Sequence, residues 1–133
     1  TPVVFKKLMA AFWPGPLTVV FPARSSVPRL LTGGIGTVGI RQTPDPLATR
    51  LLHEFAGPIT ATSANRSGGT PATTAAEVQT IFGSEVDLVL DGGTTPGGAG
   101  STLVGCDEEQ RLCCLRAGRI PFVDILKIVA DND

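Results

Sequence analysis

The order of strand-like and helix-like segments constrains the fold of this chain more than any other feature of its sequence. Short apolar runs typical of strands lie at 17–21, 37–41, 58–62 and 86–90, and a hairpin is predicted over 101–118. Helical patterns lie at 1–12, 45–57, 74–83 and 121–130. Because some strands follow one another without an intervening helix, we predict an α/β fold with a twisted, mixed open sheet and flanking helices. The length of 133 residues favours one domain, 1–133.

Capping signals mark the ends of two of these helices. Thr1 is expected to be the N-cap of the first helix, with Pro2 at its first position. Thr74 and Glu77 have the spacing of a capping box, and Gly83 is expected to end the same helix. These signals fix the helix boundaries more firmly than hydrophobic periodicity alone.

Charge and cysteine content argue against several classes of protein. The formal net charge of −1 provides no overall basic field that would draw the chain to nucleic acid or to a membrane. The three cysteines, Cys106, Cys113 and Cys114, are an odd number, so we predict small buried side chains and no disulfide framework. No apolar run approaches membrane-spanning length and no signal peptide is visible, which favours a reducing cytoplasm.

Several common catalytic motifs are absent or out of context. The G-x-G-x-x-G at Gly34–Gly39 runs into a strand, whereas a dinucleotide fingerprint follows a strand and opens a helix. His53 is the only histidine, and the chain has no C-x-x-C pair and no G-x-S-x-G elbow. We therefore predict no resident metal site and no hydrolase triad.

Four polar segments remain as candidates for binding chemistry. In "FWPGPLT", 12–18, a rigid turn that docks two aromatic side chains is favoured over direct chemistry. Arg41, at the end of a strand, is either a surface charge or a grip for a carboxylate or phosphate. The loop in "PITATSANRSGGTPATTAAEV", 58–78, is either a nest for an anion or a turn that caps the next helix. The glycine-rich run before Ser101 is either a linker or a close backbone approach, and Arg116 could reach a phosphate.

Taken in order, "FWPGPLT", "VGIR", "TSANRSG", "DGG…GSTLV" and "LRAG" resemble the YrdC family over essentially the whole chain. That family makes threonylcarbamoyl-AMP, the donor for threonylcarbamoyladenosine in tRNA. The resemblance implies a twisted α/β sheet with a ligand cavity on its concave side. It also implies that the substrates are threonine, bicarbonate and ATP, with Mg²⁺ carried by the nucleotide.

The resemblance also assigns binding residues, although no catalytic or metal-binding residue is assigned. The residues implied for threonine are Thr37, Arg41, Ala61 and Ser101. Those implied for ATP are Ser63, Asn65, Pro71 and Arg116.

The YrdC family places further strands, with a Lys/Arg motif, ahead of "FWPGPLT", and these are not in this sequence. Lys6 and Lys7 are not given the role of that motif. We therefore expect a chain whose site is incomplete, and either a partner or a dimer that covers an exposed sheet edge. Proteins of the tRNA threonylcarbamoylation pathway are the expected partners. The alternative is a non-catalytic module of the same fold that binds double-stranded RNA or tRNA, or a nucleotide.

Overall fold

The computed structural model describes residues 2–130, which form two compact units. Unit 1 consists of residues 2–45 and 99–130, and unit 2 is Pro46–Gly98. The elements of unit 1 are α1 (Val3–Phe12), β1 (Leu17–Pro22), β2 (Thr37–Ile40), β3 (Thr102–Cys106), β4 (Leu112–Arg116) and α4 (Phe122–Ala130). Unit 2 contains α2 (Pro46–Phe55), α3 (Ala75–Phe82) and a 3-10 turn (Gly83–Glu85). The single domain expected from the sequence stays a prediction.

The four strands of unit 1 form one mixed sheet with the order β2-β1-β3-β4. The two central strands are parallel, with Leu17 opposite Thr102 and Val19 opposite Val104. Each outer strand is antiparallel to its neighbour. The mixed α/β sheet predicted from the sequence is therefore confirmed, as is the β3–β4 hairpin.

The core of unit 1 lies between one face of this sheet and the helices α1 and α4. Leu17 and Val19 of β1 and Val104 of β3 are fully buried on this face, and their main partners are Phe5 and Leu8 of α1 and Ile125 of α4. Alternation along a strand sends every second side chain to the same face, which explains why residues 17 and 19 are buried together. Thr18, which lies between them in β1, accordingly points to the other face of the sheet.

A buried hydroxyl connects β3 to the start of α4. Thr102 is fully buried, and its Oγ1 donates to the Ile120 carbonyl at 2.7 Å and accepts from the Ile120 N–H at 3.0 Å. The backbone N–H of Thr102 donates to the Pro16 carbonyl at 3.0 Å. The hydroxyl and the backbone N–H of this buried residue are thus paired, as burial requires.

Unit 2 contains the two helices predicted for this part of the chain. α3 has the capping box predicted from the sequence: Thr74 Oγ1 accepts from the Glu77 N–H, and the Glu77 carboxylate accepts from the Thr74 N–H. Gly83 follows α3 with a positive φ of 52°, a conformation that glycine adopts without a steric penalty. These local signals were sufficient because every partner lies within a few residues.

The strands predicted at 58–62 and 86–90 were wrong. Both segments lack strand structure, and neither pairs with any segment among residues 2–130. Ile59 is 41% exposed and Leu88 is 74% exposed. An apolar, β-branched run favours a strand, but the ladder also needs a neighbouring strand, which a local pattern does not specify.

Three smaller predictions can be compared with the structure. Thr1 lies outside the described residues, and Pro2 is the N-cap of α1 instead of its first helical residue. The cysteines are free thiols as predicted, but all three are only partly buried. No helix within residues 2–130 is long and apolar enough to cross a membrane.

Candidate functional site

Four predicted residues of unit 1 lie on the sheet face opposite α1 and α4. Alternation places Thr18 and Val20 on this face, and Gly39 lies directly opposite Val20 in the β1–β2 register. Thr37 and Arg41 each lie two residues from Gly39 along the chain, so alternation places them on the same face. Ser101 and Arg116 are joined to Thr18 on this face by the contacts described below.

Four of these side chains form a line across one end of the sheet, here called the polar row: Arg41, Thr18, Ser101 and Arg116. Ile40 pairs with Val19, so the next residue, Arg41, stands opposite Thr18. Ser101 immediately precedes β3, and Arg116 ends β4. The row therefore follows the strand order, with an arginine at each end and two hydroxyl groups between them.

The central part of the polar row is joined by hydrogen bonds. The Oγ atoms of Thr18 and Ser101 are 2.6 Å apart. Arg116 Nη2 donates to the Ser101 carbonyl at 2.9 Å and lies 3.4 Å from the Ser101 Oγ. A guanidinium has only donors, so Arg116 fixes the Ser101 backbone and leaves its other N–H groups for a further acceptor.

A β-bulge sets the position of Arg116. Leu103 pairs with Arg116 whereas Val104 pairs with Cys114, so Leu115 is an extra residue in β4. A bulge of this kind re-aims the side chains beside it. The extra residue brings Arg116, rather than Leu115, opposite Leu103 and within reach of Ser101.

The backbone around Ser101 is held closely against the segment that follows β4. A Cβ added at Gly118 would overlap the backbone of Gly100, Ser101 and Thr102. The Arg119 N–H donates to the Gly100 carbonyl at 2.9 Å. Glycine at position 118 therefore permits the close approach that places Ser101 beside Arg116.

The main chain at Arg41 is also held on both sides. Ile40 is paired with Val19, and the Gln42 carbonyl accepts from the Gly15 N–H at 2.9 Å. Gly15 lies in the "PGP" turn, in which the Trp13 Nε1 donates to the Leu17 carbonyl at 2.8 Å. The turn predicted from "FWPGPLT" thus anchors the segment that carries Arg41. The Arg41 side chain is exposed.

Thr37 lies on the same face as Arg41 but at the far end of β2, where it pairs with Pro22. Four residues of extended chain span about 13 Å. Thr37 and Arg41 can therefore contact one small ligand only if the arginine side chain extends back along the strand.

The other four predicted residues belong to unit 2. Three of them, Ser63, Asn65 and Pro71, are in the segment 63–71, here called the SAN loop, and Ala61 lies just before it in an exposed segment. Asn65 Nδ2 donates to the carbonyls of Arg66 at 2.8 Å and Gly69 at 3.0 Å. The amide of Asn65 thus holds the loop in its turn, whereas the N-cap of α3 is Thr74, outside the SAN loop.

One acceptor of the SAN loop has no donor. The Oδ1 atom of Asn65 is buried and accepts no hydrogen bond from any residue that the structure describes. A buried carbonyl oxygen of this kind needs a partner such as water or a ligand hydroxyl.

Arg66 fastens the SAN loop to the end of α3. Its Nη1 donates to Glu85 Oε2 at 2.9 Å, its Nη2 makes a second, short contact to Glu85 Oε1, and Nη2 also donates to the Ile81 carbonyl at 3.2 Å. The guanidinium lies 5.2 Å from the centre of the Phe82 ring. The hydrogen bond from Arg66, and then its charge, lower the pKa of Glu85.

Pro71 lines an open depression of about 430 Å³ beside α3. Its walls combine apolar side chains such as that of Ile81 with the polar side chains of Thr73 and Glu77. Hydrogen bonds from the Thr73 N–H and hydroxyl, together with the Thr74 N–H, lower the pKa of Glu77. Glu77 is thus kept ionised as part of the capping box.

The sequence reasoning missed three residues that shape these sites: Thr18, Gly39 and Arg66. Thr18 was the last residue of a motif interpreted as a turn, and Gly39 was treated as part of a rejected dinucleotide motif. Arg66 follows Asn65 directly, and its partner Glu85 is too distant in sequence for spacing to reveal. Alternation along β1 could have placed Thr18 on the same face as Arg41.

In chemical terms, the polar row suits a small ligand that carries an anionic group and a hydrogen-bonding group. Guanidinium groups bind carboxylates and phosphates in bidentate geometry, and hydroxyls both donate and accept. Within residues 2–130 there is no cluster of three His, Cys, Asp or Glu side chains that could hold a metal. The unit 1 sheet belongs to an α/β protein, and one of its faces carries two arginines and two hydroxyl groups.

The family follows from comparison with known proteins. Residues 1–118 match the Sua5_yciO_yrdC family, which carries the description "Telomere recombination". This match covers most of the sequence, so the chain belongs to the Sua5/YciO/YrdC family. The resemblance noted in the sequence motifs is thereby confirmed.

Individual relatives agree with this membership. A protein of Pyrococcus abyssi named threonylcarbamoyl-AMP synthase is 38% identical over 124 residues, which is 93% of this chain and 36% of the relative. The crystal structure of P. abyssi Sua5 complexed with L-threonine matches with a TM-score of 0.89 and 37% identity, over 97% of this chain and 38% of that one. E. coli YciO matches with a TM-score of 0.77 and 26% identity, over 89% of this chain and 57% of that one. The chain spans about half or less of the length of the curated relatives it matches.

Proposed function

We propose that this chain is the part of a threonylcarbamoyl-AMP synthase that binds L-threonine and contributes one section of the ATP site. The observation that carries the proposal is the polar row, which has an arginine at each end and paired hydroxyls at its centre. A homologous structure holds L-threonine, which supports an amino acid as the ligand.

In this proposal, Arg41 binds the carboxylate of threonine. Its backbone is fixed on both sides, and its exposed guanidinium can bind a carboxylate in bidentate geometry. The Ser101 hydroxyl contacts a polar group of the same amino acid. Thr37 and the backbone of Ala61 are the further proposed contacts to threonine.

ATP is the second proposed substrate, with Mg²⁺ bound by its phosphates. Arg116 has N–H groups left for a phosphate oxygen. Ser63 and Pro71 are the proposed contacts from the SAN loop, together with Asn65, whose buried Oδ1 atom has no hydrogen-bond donor among the described residues. This partnerless acceptor is the feature of unit 2 that best fits a nucleotide.

The proposed reaction has two steps. The amino group of threonine attacks bicarbonate, forming a carbamate and releasing water. A carbamate oxygen then attacks the α-phosphorus of ATP, a new P–O bond forms, and the bond to pyrophosphate breaks. The product, threonylcarbamoyl-adenylate, supplies the group for modification of tRNA. The two arginines act by orienting anionic reactants that would otherwise repel each other and by stabilising the developing charge.

Calorimetric titration of the chain with L-threonine tests the first part of the proposal. Replacing Arg41 with alanine removes a charge-assisted pair, so we expect about 10- to 100-fold weaker binding. Arg24→Ala, which changes an exposed arginine beyond the other end of β1, is the matched control and is expected to bind normally. A parent chain that does not bind L-threonine would overturn the proposal.

Pyrophosphate release from Mg-ATP tests the chemistry. Release that requires both threonine and bicarbonate, and that falls in Ser101→Ala, is the expected result. Release that is independent of threonine would point to a different reaction.

A further inference from the structure

Thr18 contacts both Gly39 and Ser101. The identity of the ligand at this site rests on the proposed function. Thr18 has two separate contacts. Its methyl Cγ2 lies 3.0 Å from the point that a Cβ of residue 39 would occupy, and its hydroxyl lies 2.6 Å from the Ser101 Oγ.

The methyl contact explains the glycine in "VGIR". A side chain at position 39 would contact the Thr18 methyl too closely, whereas glycine leaves room for this methyl group. A β-branched side chain has few allowed χ1 values, so placing the methyl over β2 also fixes the hydroxyl on the side of β3. The rotamer of Thr18 thereby aims its hydroxyl at Ser101.

Within the protein, the Thr18–Ser101 hydrogen bond can run in either direction, and each direction leaves a different hydroxyl proton free. Each hydroxyl has one proton to donate, and Arg116 can only donate. Within residues 2–130, the Thr18 side chain makes no hydrogen bond other than the one to Ser101. If Ser101 donated to Thr18, the proton left without an acceptor would be that of Thr18. If Thr18 donates, the free proton is that of Ser101, the residue proposed to contact the amino acid.

We infer that Thr18 is a positioning residue: its hydroxyl donates to Ser101 Oγ and turns the Ser101 proton outward, toward an acceptor on the bound amino acid. Thr18 itself does not touch the ligand. Arg116 supports the same arrangement, because its Nη2 atom lies 3.4 Å from the Ser101 Oγ and can only donate to it.

Two variants separate the two contacts of Thr18. Thr18→Val keeps the methyl over Gly39 and removes the hydroxyl, whereas Thr18→Ser keeps the hydroxyl. The first readout needs no ligand: the χ1 couplings of Ser101 measured by NMR on serine-labelled chain. We expect a single Ser101 rotamer in the parent chain, averaging in Thr18→Val, and recovery toward the parent in Thr18→Ser. An unchanged Ser101 rotamer in Thr18→Val would overturn the inference.

The second readout is calorimetric titration with L-threonine. Losing one hydrogen bond is expected to weaken binding about fivefold in Thr18→Val, with recovery in Thr18→Ser. In a Ser101→Ala background, Thr18→Val is expected to have no further effect, because the group it positions is gone. An equal loss in both backgrounds would mean that Thr18 acts by another route and would overturn the inference.

The two readouts also separate this inference from the proposed function. A parent chain that fails to bind L-threonine contradicts the proposed function, while the Ser101 couplings still decide whether Thr18 orients that hydroxyl.

Discussion

Single residues decide the geometry of the polar row, and two of them are glycines that matter because they have no side chain. Gly118 has no side chain to separate the backbone after β4 from Ser101, and Gly39 has none to displace Thr18. Arginines and hydroxyls supply the chemistry, but these glycines allow them to meet.

Replacing Gly118 with alanine tests this at the point of closest approach. The added methyl would overlap backbone atoms of three residues, and overpacking of this kind costs about 1–3 kcal/mol. We expect the free energy of unfolding, measured in urea with Trp13 fluorescence, to fall by this amount.

Gly100→Ala is the matched control for this substitution. Its Cβ would meet only the flexible end of Arg116, at 3.4 Å, so we expect a change within about 0.5 kcal/mol. Equal destabilisation by both variants would contradict the role given to Gly118.

The two hydrogen-bonded glutamates of unit 2 give a pH dependence of known sign. Contacts in the folded chain lower the pKa of Glu77 and of Glu85. Their contribution to stability is therefore present above the pKa values of the unfolded chain and is lost as the pH falls through the folded values. We expect NMR titration to give carboxyl midpoints below those of the same residues in urea, and Glu77→Gln to remove its part of the acid dependence. Equal midpoints in both states would contradict the contacts.

At the scale of elements, the structure separates what local sequence specifies from what it does not. The capping box of α3 and the β3–β4 hairpin were predictable because their partners lie close in sequence. The segments 58–62 and 86–90 have the composition of strands, but their pairing depends on residues elsewhere. The candidate site follows the same rule. Arg41 and Ser101 were identified through motifs, whereas the Thr18–Ser101 bond joins residues 83 positions apart.

The SAN loop is the element most dependent on one distant contact. Arg66→Ala would remove its links to Glu85, Ile81 and Phe82 at once. Because the Arg66 and Glu85 side chains are exposed, we expect little change in the overall unfolding midpoint. We expect faster hydrogen exchange at the amides of Gly69 and Ala72, whose hydrogen bonds close the loop.

Arg50→Ala, in α2, is the control for the SAN loop because it alters an exposed arginine of the same unit. Unchanged exchange at Gly69 and Ala72 in Arg66→Ala would show that Asn65 alone holds the loop.

At the scale of the whole molecule, burial is distributed unevenly. Among residues 2–130, every buried residue belongs to unit 1. Neither α2 nor α3 contains a buried residue. Since the stability of a helix in a protein comes mainly from tertiary packing, the two units should differ in local stability.

Native-state hydrogen exchange followed by mass spectrometry measures this difference. We expect peptides from β1 and β3 to be protected longest, and those from α2 and α3 to exchange through openings of lower free energy. Uniform protection across both sets of peptides would show that unit 2 is stabilised by more than the contacts within it.

The "PGP" turn also has an optical consequence. The chain contains one tryptophan and no tyrosine, and the indole N–H of that tryptophan bonds to the carbonyl of Leu17, the residue before Thr18. Its emission therefore arises from a single chromophore built into the turn that precedes the polar row. A change at this end of the sheet can be recorded as a spectral shift in the unlabelled, unmodified protein.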